Sequence, residues 1–249
     1  MTPTHSLLED IFGDLGYHVL KLSESDLRLF RSVVDNHYRE VLSLEANVKK
    51  PSSLSADISD YHKIEDKIDH AKTWTKKNRI LPKSGLRELY ESEFFQFLGA
   101  LTGVLDISSE EGSGYPEVYW RLVRPHPFKD TGPMHADAWF WELNPSDVSP
   151  DYTERVKVWI GLWTEPGSSG FQYVAGSHKL DVPYTSELRG GKRKPVFDHS
   201  EFGLQPESLN STPGTIIFFN DKLLHGGVSG IEKTRVSLEF TFFVNSLDD

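Results

Sequence analysis

Three residues in this chain of 249 amino acids have types and spacing suited to sharing one metal ion: His135 and Asp137, in His135-Ala136-Asp137, and the distant His225. On a strand, alternate residues point the same way, so His135 and Asp137 can face one ion together. A histidine from a neighbouring strand then completes a face of two imidazoles and one carboxylate. That face leaves three coordination positions open, the geometry of non-haem Fe(II) sites that handle oxygen. With ten His and eighteen Asp in the chain, about 0.7 His-x-Asp triplets arise by chance, so the triplet alone decides nothing. His199-Ser200-Glu201 is a rival of the same type, but it sits in a loop bounded by Pro195, Gly203 and Pro206, where a rigid ligand pair is harder to hold. The partners of the first triplet separate the two. The segment Pro213–His225 reads as a turn, an apolar strand and a histidine just ahead of Gly226-Gly227, and Arg235 opens a later strand with Ser237 on the same side. A buried guanidinium beside a hydroxyl binds a carboxylate by a two-pronged contact, as a dicarboxylate co-substrate requires.

Composition narrows what else the chain can do. There is no cysteine, which excludes disulfides, thiolate metal sites and cysteine nucleophiles, so any metal must rest on His, Asp or Glu. Lys plus Arg is 27 against 37 Asp plus Glu, a formal charge of −10. Such a chain has no general basic field for nucleic acid or anionic lipid, and neither is expected as a partner. The longest apolar runs, such as Thr215–Phe219, are too short to span a bilayer, and the first residues lack a basic stretch ahead of an apolar one. The expectation is a cytoplasmic protein.

The elements that must position these residues fall into two textures. Ser23 opens a helix whose Leu27, Phe30, Val34, Tyr38 and Val41 recur at helical spacing, and Ser92 opens another through Phe94, Phe95, Leu98 and Leu101, closed by Gly103. Tyr17–Leu20 reads as a short strand after Gly16. From Val118 onward, β-branched and aromatic runs separated by Gly and Pro predict strands at Val118–Val123, Met134–Trp141, Val156–Trp163, Phe171–Val174, Thr215–Phe219 and Val236–Val244. Runs of short strands favour a jelly roll over alternating βαβ units. The expected protein is one domain over 1–249, mainly β with flanking helices: a helical part over about 1–110 and a jelly-roll core over about 115–245.

In Gly16-Tyr17 with its following helix, Phe94–Gly103, Arg124-Pro-His-Pro leading to His135-Ala-Asp137, Phe171–Lys179 and Pro213–His225, the sequence resembles the phytanoyl-CoA dioxygenase family of Fe(II)/2-oxoglutarate-dependent oxygenases. The resemblance covers roughly 16–44 and 86–244. It implies a double-stranded β-helix (a cupin-like jelly roll), iron held by His135, Asp137 and His225, and 2-oxoglutarate held through its far carboxylate by Arg235, with Trp159 lining the co-substrate pocket. Where members often carry Ser two residues after the distal histidine, this chain has Gly227. An aspartate at 137 implies hydroxylation or another oxidative outcome rather than halogenation, with O2 consumed and succinate and CO2 released. The expected primary substrate is a small metabolite or biosynthetic intermediate. The alternative is a jelly-roll module that keeps the metal site and binds a ligand without turnover.

Smaller signals complete the expectations. Of Trp139, Phe140 and Trp141, packing into the core outweighs lining a pocket. His178 reads as a turn residue held by local hydrogen bonds. Either Arg121 or Arg124 faces the site. The cluster Arg189-Gly-Gly-Lys-Arg-Lys194 reads as a solvated loop in an acidic protein, the alternative being a mobile lid that contacts a phosphate or carboxylate of the substrate, and segments 45–80 and 180–210 are expected to cover the iron face and carry selectivity.

Overall fold

The computed structural model of the chain describes residues 3–45, 57–144 and 153–245. Helix α1 (Pro3–Phe12) leads into strand β1 (Tyr17–Lys21) and the long helix α2 (Glu24–Glu45). The Ser23 hydroxyl accepts from the Asp26 amide, and Leu27, Phe30, Val34, Tyr38 and Val41 are all buried, as the helical spacing predicts. A single-turn helix α3 (His70–Thr73) and helix α4 (Lys83–Tyr90) follow, then α5 (Glu93–Thr102). Helix α5 is capped twice: the Ser92 hydroxyl takes the Phe95 amide, and the Asp26 carboxylate, from α2, takes the amides of Glu93 and Phe94. Gly103, at φ 74°, closes it in a conformation that a side chain would strain.

The remaining strands are β2 (Asp106–Ile107), β3 (Tyr119–Val123), β4 (Thr153–Trp163), β5 (Gly170–Tyr173), β6 (Thr185–Arg189), β7 (Lys192–Val196), β8 (Glu207–Ser208), β9 (Thr215–Asn220), β10 (His225–Val228) and β11 (Arg235–Asn245). All pairings are antiparallel. The large sheet runs β1-β9-β4-β11-β2 with β3 also on β11, and a smaller sheet runs β10-β5-β8. The two face each other across Trp159, Phe171, Tyr173, Ile217, Phe219 and Leu223, the sandwich of a jelly roll. On its other side the large sheet buries Val118, Trp120, Leu122, Val156, Val158, Ile160, Ile216, Phe218, Leu238, Phe240 and Phe242 against the helices. This architecture agrees with the mainly β, helix-flanked jelly roll read from strand texture. No described helix is long and apolar enough to cross a membrane.

Two segments depart from the sequence reading. Met134–Trp141 is not a strand: His135 forms a single bridge, and a short helix, α6 (Ala138–Leu143), begins immediately after Asp137. Its aromatic run satisfies a strand pattern and a buried helical turn equally, and periodicity cannot separate them at that length. The basic cluster is likewise no loose loop. It forms the end of β6, the turn and the start of β7 in a hairpin whose residues pair from Thr185 with Val196 to Arg189 with Lys192.

Candidate metal centre

His135 and His225 exchange both backbone hydrogen bonds, N to O at 2.9 Å each way, so the two side chains stand side by side with ring centroids 4.6 Å apart. Each ring is fixed by the same device. Nδ1 of His135 donates to the Pro133 carbonyl and Nδ1 of His225 to the Leu223 carbonyl, both at 2.9 Å. A carbonyl only accepts, so Nδ1 carries the proton and Nε2 offers its lone pair to the cavity. His225 is further clamped by Phe171, stacked at 5.3 Å, and by Phe219 at 4.6 Å. Burial lowers its pKa to about 4, which keeps the imidazole neutral, the form that binds metal.

Asp137 reaches the same point by a different route from the strand alternation expected of it. The chain turns into α6, Asp137 takes helical φ and ψ, and the Ala138 amide donates to the Asp221 carbonyl. One carboxylate oxygen lies 3.6 Å from Nε2 of His135 and the other 3.8 Å from Nε2 of His225. One ligand atom from each of the three residues lies within 4.8 Å of the others, and among the described residues no other such group occurs. His199 and Glu201, the rival pair, stand on a separate 3-10 turn.

Behind Asp137 is a chain of alternating charges that sequence reasoning missed. Lys157 Nζ, buried on β4, lies 3.2 Å from Asp137 Oδ2 and 3.6 Å from Glu110 Oε1. Lys76 Nζ in turn lies 3.4 Å from Glu110 and 2.8 Å from Glu111, and the Thr241 hydroxyl donates to Glu110 at 2.8 Å. Burial opposes ionisation of Asp137, but the Lys157 ammonium outweighs it and holds the carboxyl well below its usual range. Lys157 is correspondingly held above the usual lysine range, its desolvation outweighed by Asp137 and Glu110. A lysine within the apolar run Val156-Lys-Val-Trp-Ile160 was the available signal, since such a residue must find a buried partner or break the strand.

Deeper in the sandwich, Arg235 is 2% exposed, donates from one terminal nitrogen to the Gly170 carbonyl at 2.9 Å, and has a buried Nε without a hydrogen-bond partner. Burial lowers its pKa to about 10, which leaves the guanidinium charged. Trp159 forms the wall beside it, with the guanidinium 5.7 Å from the ring. Gly227 has a local reason: a Cβ there would stand 2.9 Å from an Arg235 terminal nitrogen, so glycine leaves that approach open. Ser237, fully buried on the same face, donates its hydroxyl to Glu239 at 2.9 Å. Burial would raise Glu239, but Arg121 and Arg235 outweigh it and keep it ionised. Arg121 is the arginine that faces the site, 3.5 Å from Glu239, whereas Arg124 turns away into a two-pronged pair with Asp130 at 2.8 and 2.7 Å.

A second cavity of about 530 Å³ opens on the other side of His135 and Asp137, lined by Phe140, Trp141, Lys76 and the tip of the β6–β7 hairpin. Trp139 instead packs into a small core against Tyr184 and Phe197, at 4.5 and 5.3 Å. The aromatic triplet is thus divided between core and cavity by the turn of α6. Of segment 45–80, residues 46–56 lie outside the described residues. In the rest, Lys76 reaches the cavity while Tyr61 and Trp74 pack in the core with Tyr38 and Trp120. His178 does not make the local hydrogen bonds expected of it: its Nε2 lies 2.9 Å from the Gly13 carbonyl, which ties the turn after β5 to the N-terminal segment.

A jelly roll with two imidazoles and a carboxylate converging beside a buried arginine defines the non-haem iron oxygenase class. The chain belongs to the phytanoyl-CoA dioxygenase (PhyH) family, whose model matches residues 39–229. Its fold is similar to that of EvdO2 from Micromonospora carbonacea var. aurantiaca complexed with 2-oxoglutarate, at 16% identity and TM-score 0.58, covering 98% of this chain and 93% of that one. It is similar also to EctD from S. alaskensis with 2-oxoglutarate and 5-hydroxyectoine, at 16% identity and TM-score 0.53, covering 95% and 75%. A third likeness is to AviO1 from Streptomyces viridochromogenes Tue57, at 10% identity and TM-score 0.55, covering 100% and 97%. No curated protein sequence matches the chain significantly.

Proposed function

We propose that the chain, acting as one domain, is a dioxygenase that uses Fe(II) and 2-oxoglutarate to hydroxylate a small metabolite or biosynthetic intermediate. In this reading His135, Asp137 and His225 hold the metal. The supporting observation is the pairing of two fixed Nε2 lone pairs and a carboxylate with a buried guanidinium whose Nε has no partner. A binding module without turnover has no evident use for both. Bound Fe(II), with 2-oxoglutarate and O2, supplies the oxidising power, with succinate and CO2 as by-products.

The chain's own residues orient and protect that chemistry. Arg235 anchors the far carboxylate of 2-oxoglutarate, and Trp159 walls its pocket. Ser237 acts at one remove, by holding Glu239 against Arg121. Phe171 and Phe219 exclude water around His225. Lys157 holds one oxygen of Asp137 and would leave the other free to take the metal. Incubating the protein with Fe(II), 2-oxoglutarate and O2 and following succinate by NMR tests the reading. Wild type should release succinate slowly even without primary substrate, and His225→Ala none. Metal binding without any succinate would favour the non-catalytic module instead.

A further inference from the structure

We infer that the primary substrate is anionic: a phosphate or carboxylate on a body of small-metabolite size, gripped by the tip of the β6–β7 hairpin. This rests on the oxygenase reading and goes beyond it by naming the substrate class. The 530 Å³ cavity that borders His135 and Asp137 has seven cationic and three acidic side chains in its lining. A cavity of this size holds a small organic molecule.

The three acids are already matched. Glu110 and Glu111 face Lys76, and Asp137 faces Lys157. The surplus of positive charge lies on the hairpin. Arg189 pairs with Glu187, and Arg193 donates to the Ser186 hydroxyl at 3.0 Å. Among the described residues no carboxylate pairs with Lys192, Arg193 or Lys194. In a protein of formal charge −10, cations concentrated at one cavity mouth steer an anion there.

The hairpin is not a freely solvated loop. Asn144, just after α6, donates to the Arg193 carbonyl at 3.1 Å, and the Tyr184 hydroxyl donates to Glu142 of α6 at 2.6 Å. Tyr184 also stacks on Trp139 of the same helix. Helix α6 begins at the residue after Asp137, so one rigid piece sets both a metal-facing carboxylate and the cationic rim. Between them Phe140 and Trp141 offer an apolar wall. A molecule with its anionic end on the hairpin would lay its body on that wall, with its reactive carbon toward His135 and Asp137.

The test uses four probes that share one sugar ring: glucose 6-phosphate, glucuronate, glucose and glucosamine. Each is titrated calorimetrically at pH 7 and low salt into the full chain with Mn(II) and 2-oxoglutarate bound, and into the metal-free chain. The expected result is that at least one anionic sugar binds about tenfold or more tighter than glucose or glucosamine, as one charge-assisted contact provides. Added salt should shrink the difference. Selectivity for the phosphate or for the carboxylate then identifies which group the site takes. Lys192→Ala/Lys194→Ala, at two exposed positions, should remove the preference and leave Mn(II) affinity unchanged, and Lys192→Glu/Lys194→Glu should reverse it. Equal affinity for all four probes, a preference for glucosamine, or an undiminished preference in the double variants would overturn the inference. Failure to bind Mn(II) with the anion preference intact would strike the oxygenase reading and not the rim.

Discussion

The two faces of the large sheet are built from the same strands and do opposite work. On β11, Val236, Leu238, Phe240, Phe242 and Val244 point to the helices, whereas Arg235, Ser237, Glu239 and Thr241 point the other way. On β4 the same alternation sends Val156, Val158, Ile160 and Leu162 outward to the helices and Lys157 and Trp159 inward to the site. The helical face is an apolar seal in which the Trp120 indole, donating to His37 of α2 at 3.1 Å, finds a polar partner. The inner face carries charges that survive burial because each has a neighbour of opposite sign or an open pocket to serve. A period of two lets one strand do both. The lesson is that the core and the site need not compete for sequence, because each takes alternate residues.

If the faces are independent, damage to one should leave the other's chemistry intact. Phe240→Ala, on the helical face, should cost about 3–5 kcal/mol of stability by cavity formation while metal affinity stays near wild type. Urea unfolding and metal titration measure the two, and a parallel fall in both would show that the faces are coupled.

Lys157→Met attacks the inner face by leaving the half-buried Asp137 without its cation and Glu110 with Lys76 alone. The metal-free protein should lose about 3–5 kcal/mol. Saturating Mn(II) should restore part of it, since the ion neutralises Asp137, so the gap between loaded and metal-free unfolding midpoints widens. An unchanged gap would mean that Lys157 does not carry that charge balance.

Acid should also act on the inner face. The pKa of His225 is lowered by burial to about 4 from 6.5, so the unfolded chain takes up this proton first as pH falls. The contribution is fully present above pH 6.5 and is lost between there and about pH 4, on the order of 3 kcal/mol in the metal-free protein. His225→Leu should flatten that limb of the stability profile, and a slope identical to wild type would assign the acid sensitivity elsewhere.

The smallest expected effect is on ligand binding alone. Arg235→Ala should weaken 2-oxoglutarate by about 1.5–3 kcal/mol with metal affinity unchanged. Calorimetric titration of the metal-loaded variant checks this, and equal affinity would remove Arg235 from the co-substrate pocket.

The sequence by itself determined the ligand types, the strand texture and the positions of the buffering helices, because residue chemistry and hydrophobic period are local properties. His135, Asp137, His225 and Arg235 could be named as candidates from type and order, and the fold brings the first three together. Tertiary structure alone decided which side of each strand is inside. Arg121 lies on β3 and Arg124 just past its end, and only the pairing of β3 with β11 selects Arg121, opposite Ser237, as the one that faces the site. The same holds for Lys157, whose partners Asp137 and Glu110 are supplied by distant parts of the chain, and for the route by which Asp137 arrives, a helical turn where alternation predicted a strand. The basic run 189–194 read as a solvated loop, with an anion-contacting lid as the alternative, because its charge pattern does not say what the run packs against. It became the rim of a cavity when Asn144 and Glu142 of the α6 region anchored it. Charge networks and cavity walls are made by residues remote in sequence, and a local pattern cannot encode which remote residue will arrive.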